Sequence, residues 1–537
     1  SHRRLLMRHA PAAFGCALFL LLSFAPGDLG SSRCQGVDAT VPNRAVLANS
    51  APLFRWFAER GGTGAVACST ATQGLRGLVA TRDVRAGDLL LEVPLPATLA
   101  DVDQDGTGSG EVAAGGPVVA APAWASGLPW NVQMALGVLE RRSDPEWAPF
   151  VGSWPEAAPL LPKDLDDEEL EEGQDEDFEM KAGCTYFWAE EQYEAAREAH
   201  EASGSSEPFP NEAEFRWALA HVWTRCCRME LGSTYGGTRR LLVPVLDLGN
   251  HVSVSPSAEF VYRESAPSVG GPAVCLVAER DMSCGEAVTY SYGEHANAHF
   301  LLYYGFVPLE PPNPYEYVPL SLFDVLKWVP DSLAPPPSAG WRAAATALSW
   351  SGYRVDALPL RAVGPPEALL QALYAALKQK DDSETWQTEA RAIRALSLAC
   401  KGIESEYKTG VEEDEFLLRD PPASAIGVKP LSPGKRLMVQ LRLGRKRLLR
   451  QLGGAMEELA QEYERDPERA RRRLGQLVQQ SEEARKVEAA ASGSPIEEDP
   501  HVPDVAAPRV DAPQPAPAPA SKPFVAPQRP AGPPRSA

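Results

Sequence analysis

The sequence predicts an α+β fold, in which a β-rich domain carrying a helical insertion is followed by an all-α domain. Three observations lead there. Between 241 and 291, short apolar runs alternate with Gly or Pro, the pattern of strands joined by turns. From about 320 to 488, Leu, Ala and aromatic residues recur at helical spacing. A long βαβ alternation is missing, and Gly61-Gly-Thr-Gly64 follows a predicted helix rather than a strand, so a doubly wound nucleotide-binding sheet is disfavoured.

The 537 residues exceed one compact domain, and 44% hydrophobic residues are enough for sizeable cores, while 50 prolines and 43 glycines imply long loops or tails. Residues 1–30 read as a signal peptide or short anchor: Met7, Arg8 and His9 precede the apolar run Phe14 to Phe24, shorter than the roughly 20 residues of a membrane span. Residues 31–50 read as a linker or transit-like segment. Together they predict secretory entry or a plastid reached by a two-part address, with a cytoplasmic chain if the segment is not translated, and no stable membrane span after processing.

Residues 51–318 form the expected β-rich domain. It opens on an amphipathic helix, Leu53 to Gly61, followed by two β-rich runs around Arg85-Ala-Gly-Asp88, the pattern of a hairpin. A glycine-rich loop covers 103–118, and Trp130 to Arg142 is a helix. An insertion spans about 160–238. It begins with the acidic run 164–179, expected to be solvated and disordered through like-charge repulsion, or alternatively to steer a basic substrate. Helices follow at 188–202 and 211–230, then strands at 241–246, 258–263, 273–279 and 286–291. Residues 319–488 are helical. There, Leu437 to Arg450 sets a leucine stripe against basic residues, expected to be a solvated face or, alternatively, to meet an acidic partner. The Pro/Ala-rich 489–537 cannot bury enough apolar surface to offset ordering entropy and reads as a disordered tail.

A net charge of −20 argues against a nucleic-acid partner but leaves room for a basic protein. The nine cysteines show no CxxC pair and no structural-zinc spacing, so we expect no metal and reduced, buried thiols. The chain is expected to be a monomer.

The chemistry-bearing segments are Leu242-Val-Pro-Val-Leu-Asp247-Leu-Gly-Asn250-His251, then Thr289-Tyr-Ser-Tyr292-Gly, then Asn297 separated by five residues from Tyr303-Tyr304-Gly-Phe306. Polar groups gathered where a strand gives way to a loop are well placed to form a site. Asn250-His251 alone fits a turn with a core histidine; the downstream tyrosines favour a site.

With these segments, the chain resembles the SET-domain protein methyltransferases, in the branch of the Rubisco large-subunit lysine methyltransferase and the actin-histidine methyltransferase. The resemblance spans about 53–460 and includes Phe54-Arg-Trp-Phe57, Arg76-Gly-Leu-Val-Ala80, Glu140-Arg141, Trp147-Ala-Pro-Phe150, Phe215-Arg-Trp-Ala218, Thr224-Arg225, Gly410 to Leu418 and Leu441-Arg-Leu-Gly-Arg-Lys446. It implies S-adenosylmethionine as cofactor, a protein substrate, and a helical substrate-binding domain after 319. By position it implies that Gly74, Leu75 and Arg76 cradle the methionine part of the cofactor, that Asn250 and His251 hold it near the adenine, and that Arg225 lies beside its carboxylate. Tyr292 is the implied catalytic residue facing the transferring methyl. Asp247, Tyr304 and Cys227 line the implied acceptor channel. Cys227 stands where lysine-directed relatives carry an aromatic, whereas Tyr304 speaks for lysine, so lysine is expected ahead of histidine. A non-catalytic binding module is the alternative outside enzymology.

Overall fold

The computed structural model describes residues 50–72, 75–102, 115–235, 237–330, 333, 358–379, 383–419 and 430–491, all within one compact unit. The leader, most of the 103–118 loop, Gly74, residues 334–357 of the region expected to be helical and nearly all of the tail lie outside the described residues.

The first half is built on α1 (Ser50–Glu59), β1 (Thr63–Gly64), β2 (Val66–Thr72), β3 (Leu75–Ala80), β4 (Leu89–Pro94), β5 (Leu99–Ala100) and β6 (Val118–Val119). Next come helices α2 (Trp130–Arg142), α3 (Ala148–Val151), α4 (Asp167–Glu171), α5 (Glu176–Ser203) and α6 (Glu212–Arg225). Strands β7 (Cys227–Glu230), β8 (Thr238–Leu242), β9 (Asn250–His251), β10 (Ala258–Arg263), β11 (Ala273–Ala278) and β12 (Ala287–Tyr290) complete three small sheets, ordered β1-β4-β11-β10, β2-β3-β12-β9 and β6-β5-β8-β7.

The expected hairpin is not formed. The turn itself is present, with Asp88 N–H donating to Arg85 carbonyl at 3.0 Å and Gly87 at φ 87°. The flanking strands, however, enter different sheets: β3 pairs with β2 and β12, and β4 with β1 and β11. Alternation and turn chemistry specify a bend, but the partner of each strand comes from residues about 200 positions away, where β11 and β12 receive them. Strand β8 is also shorter than expected. Pro244 lacks an N–H, and Val245 sits at φ 69°, a left-handed conformation that costs a β-branched residue on the order of 1–3 kcal/mol. That bend turns the chain into the 3₁₀ turn Leu246–Leu248, which carries Asp247.

A short helix, α7 (Asn297–His299), continues as a π-helical turn over Phe300–Tyr304. Beyond it are β13 (Tyr317–Leu320), α8 (Leu322–Lys327), β14 (Leu358–Arg361), α9 (Glu367–Leu377), α10 (Thr385–Glu406), α11 (Val411–Leu418), α12 (Pro433–Arg465) and α13 (Pro467–Ala491). Helices predominate as expected; the antiparallel β13–β14 ribbon is an addition to them.

Two hydrophobic cores lie side by side. One gathers the sheets and α1–α6, the other the helices from Val318 to Leu477. The 33-residue α12 serves both: Met438 and Leu441 enter the first core, Leu448 to Tyr463 the second.

The acidic run and the basic stretch of α12 turn out to be each other's partners, correcting both solvated readings. The run is helical because its acids cap and charge helix starts. Asp166 accepts Glu169 N–H at 2.8 Å and Asp175 accepts Phe178 N–H at 3.1 Å, with further acids in each first turn. It then meets α12. Ser432 donates to Glu169 at 2.6 Å, Lys435 pairs with Glu168, Arg442 with Glu172, and Arg445 with Asp175. At the centre, Asp414 of α11 receives Arg442 at 2.8 Å and also pairs with Lys446, all three side chains being buried. Charge patterning along the sequence could not pair segments about 270 residues apart.

Candidate active site

The site forms where β9 meets β12, a parallel pairing of Asn250 with Thr289 and His251 with Tyr290. The register places Tyr292 just beyond the edge, next to His251. Tyr292 N–H donates to His251 Nδ1 at 3.0 Å, while His251 Nε2 lies 2.8 Å from Ser253 Oγ. Because a backbone N–H can only donate, Nδ1 is bare and Nε2 carries the proton. Burial pulls the His251 pKa down to about 4, so the ring stays neutral at physiological pH and holds the Tyr292 backbone rather than exchanging protons.

The Tyr292 hydroxyl donates to Gly249 carbonyl at 2.6 Å. Burial raises its pKa well above that of an ordinary phenol, so it remains protonated and is unfit as a base. Its ring is 5.3 Å from Tyr304, 5.4 Å from Tyr290 and 6.2 Å from Phe306. Phe300 stacks on Phe306 at 5.4 Å and lies 4.4 Å from His251, closing an aromatic wall. The π-helical turn aims Tyr304 into that wall. Gly305 ends it at φ 76°, and a Cβ there would come within 2.6 Å of Leu160 carbonyl, so only glycine fits between Tyr304 and Phe306.

The start of this turn is held from behind. Glu316, buried, accepts the Asn297 N–H, and Asn313 donates to His295 carbonyl at 2.8 Å and to Asn297 Oδ1 at 2.9 Å. Burial lifts the Glu316 carboxyl to about 8. Its folded pKa therefore exceeds the unfolded value of about 4.3, and between those two values the folded chain holds a proton that the unfolded chain has lost. Stability should fall as pH rises from about 5 to 8 and then level off, apart from other groups. Glu316→Gln should remove that part of the slope in urea titrations run at pH 5, 6, 7 and 8; an unchanged slope would refute the assignment.

On the other side of Tyr292 lies a charged group. Asn250 Nδ2 donates to Arg76 carbonyl at 3.1 Å, an approach possible because Gly77 has no Cβ; one there would sit 2.5 Å from that nitrogen. Arg76 donates from Nη1 to Ser153 carbonyl at 2.7 Å. Arg225, at the end of α6, donates through Nη1 to Asp247 Oδ2 and carbonyl, both at 3.1 Å, and through Nε to His221 Nδ1 at 3.2 Å. Asp247, expected along an acceptor channel, is instead fully enclosed, with Trp154 Nε1 also on Oδ2 at 2.9 Å. Burial raises its pKa, while Arg225, Arg76 and Trp154 oppose that rise. It serves as the counter-ion beneath Arg225.

Leu75 opens β3 beside Arg76, and Gly74 lies outside the described residues. Cys227 opens β7 opposite Leu241, and burial pushes its thiol up to about 12, leaving it protonated and chemically quiet. Among the described residues no disulfide forms and no cluster of three or more His, Cys, Asp or Glu could hold a metal ion. No helix among them is long and apolar enough to cross a membrane.

The family described as Rubisco LSMT substrate-binding matches residues 354–449, the stretch that holds Asp414, Arg442 and Lys446. Actin-histidine N-methyltransferase from Canis lupus familiaris is 23% identical over 435 residues, covering 74% of this chain and 67% of that protein. The chloroplastic Ribulose-1,5 bisphosphate carboxylase/oxygenase large subunit N-methyltransferase of Nicotiana tabacum is 24% identical over 436 residues, covering 75% and 80%. The fold matches the crystal structure of the SET domain of LSMT bound to lysine and AdoHcy with a TM-score of 0.52 at 20% identity, over 78% of this chain and 92% of that one. A structure of Rubisco LSMT bound to sinefungin and monomethyllysine gives the same score.

The fold is that of the SET domain of LSMT, and the chain is similar to the Rubisco large-subunit and actin-histidine N-methyltransferases.

Within this SET fold, the sequence had singled out Arg76, Arg225, Asp247, Asn250, His251, Tyr292 and Tyr304, and all seven lie around the β9–β12 edge and the group beside it. It missed the segment Ser153-Trp154-Pro155 and His221. Ser153 and Trp154 supply the contacts to Arg76 and Asp247 just described. Pro155 carbonyl lies 3.1 Å from His221 Nε2. A signal was present for His221: it precedes Arg225 by four residues on one helix, the spacing at which side chains meet.

Proposed function

We propose that this SET protein is an S-adenosylmethionine-dependent protein-lysine N-methyltransferase acting on a folded, non-histone protein. The observation that carries the donor half is the electrostatics of Arg76 and Arg225. Asp247 is the one carboxylate near two guanidiniums, pairing with Arg225 directly and with Arg76 only through its charge, and among the described residues Arg225 Nη2 and Arg76 Nη2 donate to nothing. One positive charge and the Nη2 donors of both guanidiniums are left for an anion, which suits the carboxylate of S-adenosylmethionine.

When bound, the donor supplies an electrophilic methyl on a sulfonium. Arg225 and Arg76 would hold its carboxylate, with Gly74 and Leu75 directly before Arg76 in the sequence, and Asn250 and His251 would hold the adenine side. Tyr292, its proton committed to Gly249 carbonyl, keeps its oxygen lone pairs as acceptors and orients the reacting centre without removing a proton. A lysine amine, whose free pKa is near 10.4, must lose its proton to react. The Tyr292–Tyr304–Phe306 wall excludes water and so disfavours the charged amine. Cys227 sits beside this enclosure as a small, neutral side chain. Tyr304, by adding a second hydroxyl-bearing ring, supports lysine over histidine. The helical region from 319 offers a surface for a folded protein.

Two measurements test this. S-Adenosylhomocysteine should raise the melting temperature of the purified chain; no rise would favour a non-catalytic docking module. Mass spectrometry of the methylated residue should find lysine, and a methylated histidine would replace this reading with its sister chemistry.

A further inference from the structure

The contacts behind Arg225 close into a ring. Trp154 Nε1 donates to Asp247 Oδ2, which receives Arg225 Nη1; Arg225 Nε donates to His221 Nδ1; His221 Nε2 donates to the carbonyl of Pro155, the residue bonded to Trp154. Pro155 carbonyl can only accept and Arg225 Nε can only donate, so the tautomer of His221 follows from its partners. The imidazole is fully buried, 4.7 Å from the Trp217 ring and 5.4 Å from that of Trp154. Trp217 Nε1 also donates to Pro155 carbonyl, at 3.0 Å, fixing the anchor. The neighbouring Ser153 carbonyl receives Arg76, so three consecutive residues brace both guanidiniums.

We propose that His221 is a positioning residue for the methyl donor, setting the plane of the Arg225 guanidinium so that its unspent Nη2 meets the donor's carboxylate. This rests on the functional reading above. A neutral acceptor suits the task. A carboxylate at 221 would orient Arg225 equally well but would cancel the charge that an anion needs, and Asp247 already takes one share of it. Burial and the adjacent Arg225 hold the His221 pKa down at about 3, so the imidazole remains an uncharged acceptor wherever the enzyme would work.

The test compares two ligands on the full chain by calorimetry: S-adenosylhomocysteine, which has the carboxylate, and 5′-methylthioadenosine, which lacks the amino-acid part. His221→Phe keeps the ring and removes both hydrogen bonds. It should weaken S-adenosylhomocysteine about tenfold, the scale of one hydrogen bond to a charged group, and leave methylthioadenosine within about twofold. His221→Gln, which can still accept from Arg225, should recover most of the loss. Equal weakening of both ligands, or none, would overturn the proposal. If the Phe variant melts far below the parent, His221→Met provides the same comparison. Failure of the unaltered chain to bind S-adenosylhomocysteine would instead overturn the functional reading.

Discussion

Asp414→Ala should lower the folding stability of the chain by about 3–5 kcal/mol, the usual cost of leaving a buried charge without its partner. Asp414 lies between Arg442 and Lys446, and all three are buried where α11, α12 and the end of α4 converge. Removing the carboxylate strands two cations in a region that water does not reach. Arg442 keeps Glu172, while Lys446 retains the Thr409 carbonyl and hydroxyl, at 2.9 and 2.8 Å, and the Tyr407 ring at 5.2 Å, none of which carries a negative charge. Asp414→Asn, which preserves shape and some hydrogen bonding, should cost less. Denaturant titration followed by tryptophan fluorescence measures both. A change below about 1 kcal/mol for the Ala variant would mean that the triad is solvated, against its burial.

Tyr292→Phe should reduce turnover on the order of 100-fold, as expected when a reacting group loses its alignment, and leave S-adenosylhomocysteine affinity within about twofold. The hydroxyl is the one part of Tyr292 that the substitution removes. The ring, packed against Tyr290 and Tyr304, and the backbone N–H held by His251 both remain. The result therefore separates orientation from binding. Turnover at the parent rate would show that the hydroxyl does not face the reacting centre. A matching loss of binding would show that it holds the donor instead.

Local pattern made some of this structure readable in advance and left other parts hidden. Trp130 to Arg142 is helical from end to end as its spacing predicts, and β10 coincides with its apolar run at 258–263. The polar cluster from Asp247 to His251 marked the site because polar groups gather there where a strand gives way to a loop. What stayed hidden is non-local. Nothing near Arg85–Asp88 says that the strands on either side belong to different sheets. Nothing in the acidic run says that Arg442 and Arg445 are its partners. Asp247 was legible as a site residue but not its enclosure, which comes from Trp154, in the bend after α3, and Arg225, at the end of α6. His221 was missed in the sequence apart from its four-residue spacing to Arg225; its role appears once Pro155 and Arg225 occupy its two nitrogens.

The central claim is that the chain transfers a methyl group to a protein. The most direct measurement incubates the purified full chain with S-[methyl-³H]adenosylmethionine and a protein extract of its source organism, then counts label on gel-separated proteins. The account predicts label on one or a few protein bands with the parent chain and at least tenfold less with Tyr292→Phe, consistent with the loss of alignment argued above. Equal label from the two chains, or none above a no-enzyme control when S-adenosylhomocysteine binds normally, would contradict it.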